Sequence, residues 1–118
     1  MHVCGELSGT GCVAVSHRKF RCYLQLTANF PSHQAYGLIS QLRRASFFVA
    51  STIAEGYGRG SSGEYKHFLG LARGSNSEVE TQLFIAKELG FEDEDHIDHA
   101  AGLTAEVGKM LNALMKRI

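Results

Sequence analysis

Proline is almost absent from this chain: Pro31 stands alone among 118 residues, so long stretches are free of the residue that breaks helices. No run of about 18 consecutive apolar residues occurs, which argues against a membrane-spanning helix. The glycine-broken N-terminus lacks the charged start and apolar stretch of a secretory leader, so the expected location is the cytoplasm, with no membrane partner. Cysteine is scarce and odd in number. Cys4, Cys12 and Cys22 show no Cys-x-x-Cys spacing, which points to reduced thiols rather than a disulfide framework. Turn signals of β-hairpins, internal repeats and low-complexity tracts are missing as well.

Net charge is also missing: twelve Lys/Arg balance twelve Asp/Glu. The balance is uneven along the chain, however. Residues 1–77 hold eight basic against three acidic side chains, and residues 78–118 hold four against nine, giving +5 and −5. Such polarity suits contact between copies of the chain, or between its basic half and an anionic partner, although solvated helix faces give the same pattern.

What is present is ordinary globular composition, 44% apolar and 20% charged, in a length that fits one domain with one core. Residues 1–13, with Gly5, Gly9 and Gly11, read as a flexible lead-in, and residues 14–118 as a bundle domain. Phe20, Tyr23 or Leu24, Thr27 and Phe30 recur at helical spacing and predict a first helix from about Ala14 to Asn29. Pro31 stops it, and Ser32 is placed to cap the next. Leu38, Leu42, Ala45, Val49 and Thr52 form the seam of a second helix over His33 to Tyr57, ended by Gly56-Tyr57-Gly58-Arg59-Gly60. Ser61 and Glu64 offer a capping box for a third helix. Its seam is Tyr65, Phe68, Ala72, Ser75, Val79, Gln82, Ala86 and Leu89, with Gly90 after it. Glu92, Asp93, Glu94 and Asp95 suit the start of a fourth helix, whose heptad seam runs Ile97, Ala100, Thr104, Val107, Leu111, Leu114, Ile118, and Lys116 and Arg117 suit its end. Four amphipathic helices with short connections predict an all-α, antiparallel up-down-up-down four-helix bundle.

Two of these helices carry more apolar surface than one bundle face needs. Ile39, Phe47, Phe48 and Ile53 on the second, with Leu69, Leu71, Phe84 and Ile85 on the third, lie off the main seams. Ile39, Phe47, Phe48, Ile53, Leu71, Phe84 and Ile85 are therefore the expected interface between identical subunits.

Candidates for chemistry are few. The glycine-rich stretch Gly56 to Gly63 lacks the Gly-Lys-Ser/Thr ending of a phosphate loop and follows a helix, so it reads as a capping turn. His96 and His99, flanked by Asp95 and Asp98, permit metal binding by spacing but lack further ligands, and Cys4, Cys12, His17 and Cys22 match no zinc pattern. No metal, cofactor or small-molecule substrate is expected, and no nucleophile meets a base. Glu55 and Arg73 interrupt apolar stretches; a buried Glu55 pair with Arg73 or Arg43 would hold two helices in register, with Gln41 as a further structural polar residue. Arg43, Arg44, Arg59, Lys66 and Arg73, with His67, Tyr57 and Tyr65 nearby, could supply cations and stacking rings for RNA or DNA.

The segments Tyr36-Gly37-Leu38, Gln41-Leu42-Arg43-Arg44-Ala45, Ile53-Ala54-Glu55-Gly56-Tyr57-Gly58-Arg59, Phe68-Leu69, Ala72-Arg73-Gly74-Ser75 and Glu78-Val79-Glu80-Thr81-Gln82-Leu83 resemble the bacterial four-helix bundle family of proteins encoded by intervening sequences within 23S ribosomal RNA genes. Lys109 to Leu114 extends the likeness to the last helix. The resemblance implies a non-enzymatic protomer that closes into a pentameric ring, and kinship with basic accessory proteins of diversity-generating retroelements that bind nucleic acid. It covers about half of the chain closely. Ala50 and Thr52 stand where the family usually has proline and asparagine, implying a straighter second helix, and residues 1–19 depart from the family's usual beginning.

Overall fold

The computed structural model describes residues 9–118, with side chains from residue 16 onward. Four α-helices follow one another: α1 (Gly9–Ala28), α2 (Ser32–Gly58), α3 (Ser62–Glu88) and α4 (Glu94–Arg117), and no strand occurs among the described residues. α1 packs on α2 and α4, and α3 packs on α2 and α4, so each helix has two neighbours. Of the expected lead-in, residues 1–8 lie outside the described residues, and residues 9–13 already belong to α1.

The connections are short because backbone chemistry ends each helix sharply. Asn29 and Phe30 donate back to Leu26 and Thr27, and Pro31, fixed at φ −67°, starts α2 as its N-cap with no side-chain hydrogen bond. Ser32 consequently sits inside the first turn and does not cap it, contrary to the sequence expectation. α2 runs unbroken through Ala50 and Thr52 to Gly58, and the left-handed turn falls at Gly60 (φ 82°). Ser61 then caps α3, its Oγ accepting from the Glu64 N–H at 3.2 Å. Only half of the capping box forms, since the Glu64 carboxylate turns to Arg59. Gly90 (φ 68°) lets Phe91 N–H reach back to Ala86 O, and Asp93 caps α4 by accepting from Asp95 N–H at 2.8 Å.

The expected seam of α4 is buried from Ile97 through Leu114, and on α2 Leu42, Ala45, Val49 and Thr52 are buried as read. α3 is rotated slightly from its expected seam: Leu69, Asn76 and Leu83 are buried, whereas Leu89 is exposed. On α1 the stripe is Ser16, Lys19, Tyr23, Leu26 and Thr27, continued by the buried Phe30 in the turn that follows, with Phe20 displaced to its edge. Two corrections follow. Ile53 is 0% exposed and Leu69 equally so, which makes them core of the protomer rather than surplus surface. Both point inward because α2 and α3 each bury a stripe more than one residue wide.

The interior divides into two apolar clusters. One gathers Tyr23, Leu26, Phe30, Leu42, Val79, Leu83, Ile97 and their neighbours; the other gathers Val49, Ile53, Leu69, Ala72, Val107, Leu111 and Leu114. At the boundary, Lys19, Ser46, Asn76 and Thr104 are buried. Beside the second cluster α2 and α3 touch closely: a Cβ built on Gly56 would lie 2.6 Å from the Phe68 Cβ, so only glycine fits there.

Candidate functional site

The buried polar layer is where the interior departs most from an oil-like core. Lys19 is 0% exposed; its Nζ donates to Asn76 Oδ1 and lies 5.5 Å from the centre of the Tyr23 ring. Asn76 Nδ2 donates to the Thr104 carbonyl at 3.0 Å, and the Tyr23 and Thr104 hydroxyls are hydrogen-bonded. Thr27 Oγ1 donates to the Tyr23 carbonyl at 2.7 Å and accepts from Arg43 Nε at 2.8 Å, which brings in α2. All four helices thus meet through polar atoms, and a buried network of this kind favours one register over its neighbours. Burial pushes the Tyr23 phenol well above its ordinary range, so it stays a neutral donor.

This layer replaces the polar pair expected from sequence. Glu55 is half exposed (52%) and pairs with Arg59 of its own helix at 2.9 Å, while Arg73 donates to Asn112 Oδ1 at 3.2 Å. No buried Glu55 pair with Arg73 or Arg43 forms, because Glu55 is exposed on α2, two residues and so about 160° around the helix from the buried Ile53. Gln41 is likewise exposed and accepts from Arg44 of the same helix at 2.9 Å. Sequence reasoning passed over Lys19 since it treated charge as outward-facing; its one signal was position, four residues before Tyr23 on a helix.

The five cations grouped from sequence separate in space. Arg43 is spent on Thr27, Arg44 lies 3.6 Å from Glu78, and Arg59 stands between Glu55 and Glu64 at 2.9 and 3.5 Å. Lys66 and Arg73 do come together. They line a groove of about 380 Å³ between α3 and α4 with Asn112, Met115 and Lys116. No carboxylate lines it, and among the described residues none of Lys66, Arg73 and Lys116 has an ion-pair partner. Arg59 also covers the Phe68 ring at 5.0 Å, and its two carboxylate partners make the α3 N-terminus a poor anion site.

Between α1 and α4 a second groove of about 260 Å³ brings Cys22 to Gln25, Asn29, Glu92, His96 and His99. His96 Nδ1 is 3.6 Å from Glu92 Oε2, and the Asp93 backbone N–H chiefly holds the Glu92 carboxyl below its usual range. Burial pushes the Cys22 thiol up, which makes it a weak nucleophile. Among the described residues no three His, Cys, Asp or Glu side chains are arranged to hold a metal ion. Cys4 lies outside the described residues, as does the side chain of Cys12.

The expected subunit interface is exposed at Phe47 (59%), Phe84 (62%), Phe48, Leu71 and Ile85, while Ile39 is half buried against the first cluster. The exposed rings face different ways. Phe47 meets Phe20 of α1 edge-on at 5.6 Å, and Phe84 lines a depression with Ile97 and Ala101 of α4.

Fold and surface together define, among the described residues, an all-α arrangement of four packed helices with apolar rings on its outside. The chain belongs to the family described as 23S rRNA-intervening sequence protein, whose sequence model matches residues 15–113. No curated protein sequence matches it significantly.

Proposed function

We infer that this chain is a non-enzymatic subunit of a cytoplasmic homo-oligomeric scaffold, an up-down-up-down bundle whose copies close into a ring. Contacts between consecutive helices support the antiparallel course. Lys87 pairs with Asp98, Asn76 with Thr104 and Arg73 with Asn112, so later residues of α3 meet earlier residues of α4. Arg44 with Glu78 and Arg59 with Glu64 give the same sense for α2 and α3.

The observation that carries the assembly is the exposure of Phe47, Phe48, Phe84 and Ile85 after the core is complete. Adjacent helical residues point about 100° apart, so each Phe-Phe or Phe-Ile pair presents apolar surface in two directions. A two-fold dimer covers one self-complementary patch, whereas a ring uses two different faces of every subunit. The ring is accordingly the better fit, and the family resemblance supplies the number five. No described helix is long and apolar enough to cross a membrane.

Light scattering on the eluting protein tests this. The expected mass is a multiple of the 12.9 kDa subunit, five-fold for the pentamer. Phe47→Asp with Phe84→Asp should give smaller species of unchanged helicity. A wild-type protein that stays monomeric at high concentration overturns the scaffold reading.

A further inference from the structure

The α3/α4 groove lined by Lys66, Arg73, Asn112 and Lys116 is a cationic surface that the scaffold reading does not use. Its charge contrasts with Arg44, Arg59 and Lys87, which are paired with Glu78, with Glu55 and Glu64, and with Asp98. Lys66, Arg73 and Lys116 carry no such partner among the described residues, and three uncompensated cations around one groove repel each other until an anion enters.

We propose that this groove binds the phosphodiester backbone of single-stranded RNA, with Lys66, Arg73 and Lys116 contacting phosphates and Asn112 holding the Arg73 guanidinium in place. Length of the charged strip decides against a small anion. Lys66 and Arg73 are two helical turns apart, about 11 Å along α3, and Lys116 adds a third cation from the opposite wall. A single phosphate ion cannot touch all three, whereas consecutive backbone phosphates can. Helix periodicity adds two details. Gly70 falls between Lys66 and Arg73 on the same stripe, and a Cβ built there meets nothing within 4 Å, so the strip has open backbone at its middle. Lys109 falls on the stripe of Asn112 and Lys116 and would extend the cationic wall along α4. Farther along, the depression between the same two helices holds Glu80 and the Lys87–Asp98 ion pair, so the run of unpaired cations does not continue into it.

Arg73 is held by one hydrogen bond at 3.2 Å to an amide oxygen, which leaves its remaining guanidinium donors for phosphate oxygens. Nothing in the groove reads base edges, so binding is expected to be tolerant of sequence.

The test is fluorescence anisotropy of a labelled 20-nucleotide single-stranded RNA against the full chain at several salt concentrations, with oligomeric mass measured on the same samples. Three phosphate contacts on a single strand predict a slope near −2 in log K against log salt, hence about 20-fold weaker binding between 50 and 200 mM salt. Lys66→Gln, Arg73→Gln and Lys116→Gln together should remove that binding with oligomeric mass unchanged, and each alone should flatten the slope by about 0.7. Arg44→Gln, already paired with Glu78, should change little. The single variants at exposed Lys66 and Lys116 keep the result readable should the triple variant misfold. Equal binding after the substitutions, absence of binding at low salt, or displacement of the RNA by millimolar orthophosphate would each overturn the proposal. Loss of assembly with RNA binding retained would instead sink the scaffold alone.

Discussion

Replacing Gly56 by alanine puts the closest helix contact to a quantitative trial. The new methyl would sit 2.6 Å from the Phe68 Cβ and 3.3 Å from Tyr65 Cδ1. Comfortable carbon contacts lie at about 3.5–4.0 Å, so α2 and α3 must part by about 1 Å. Side-chain rotation gives no relief, because a Cβ moves only with its backbone. Overpacking of this kind costs about 1–3 kcal/mol, and the better helix propensity of alanine returns about 1 kcal/mol. Given the rigid neighbour, the net expectation is a loss of about 1–2 kcal/mol. Gly74→Ala supplies the contrast, since Gly74 is exposed within α3 and nothing lies within 4 Å of its built Cβ. There only propensity acts, and stability should rise by about 0.5–1 kcal/mol. Urea unfolding followed by far-ultraviolet circular dichroism, at one protein concentration because assembly contributes to stability, compares the two. Equal stability of the two variants would refute the close approach of α2 to α3.

Three further outcomes are expected. The Tyr23 phenol is held protonated mainly by burial, while the unfolded chain ionises near pH 10, so stability should fall as pH rises above about 10, by at most about 1.4 kcal/mol per pH unit; Tyr23→Phe should remove that part of the slope in urea titrations. Lys19→Met keeps the side chain's length but takes a donor from Asn76 Oδ1, costing about 1–3 kcal/mol. Asn76→Leu added to it should recover much of the loss, and strictly additive effects in the double-mutant cycle would deny the coupling. Ile53→Ala should cost about 2–5 kcal/mol as a core cavity, and a loss below that range would put Ile53 back at the surface.

Helix number and most helix ends were legible because they rest on local rules. Gly60 and Gly90 take positive φ, Ser61 and Asp93 cap, and the α4 seam is a heptad with a single face. Ser32 failed as a cap because Pro31 already filled that position. Functional grouping was harder. The cationic groove joins Lys66 and Arg73 to Lys116, more than forty residues onward, which sequence order assigns to the end of a helix. Glu55 looked anomalous among apolar neighbours, yet one helical step turns it outward to Arg59.

By itself the chain's order of residues determined four amphipathic helices, their punctuation and their surplus of apolar side chains, since each depends on neighbours within a few positions. Tertiary structure alone decided that Ile53 lies inside and Phe47 outside, that Lys19 is buried against Asn76, and that three cations share a groove. The physical reason is rotational phase: a helix about 100° per residue can turn any of several faces inward, and which face wins is set by the packing of all four together.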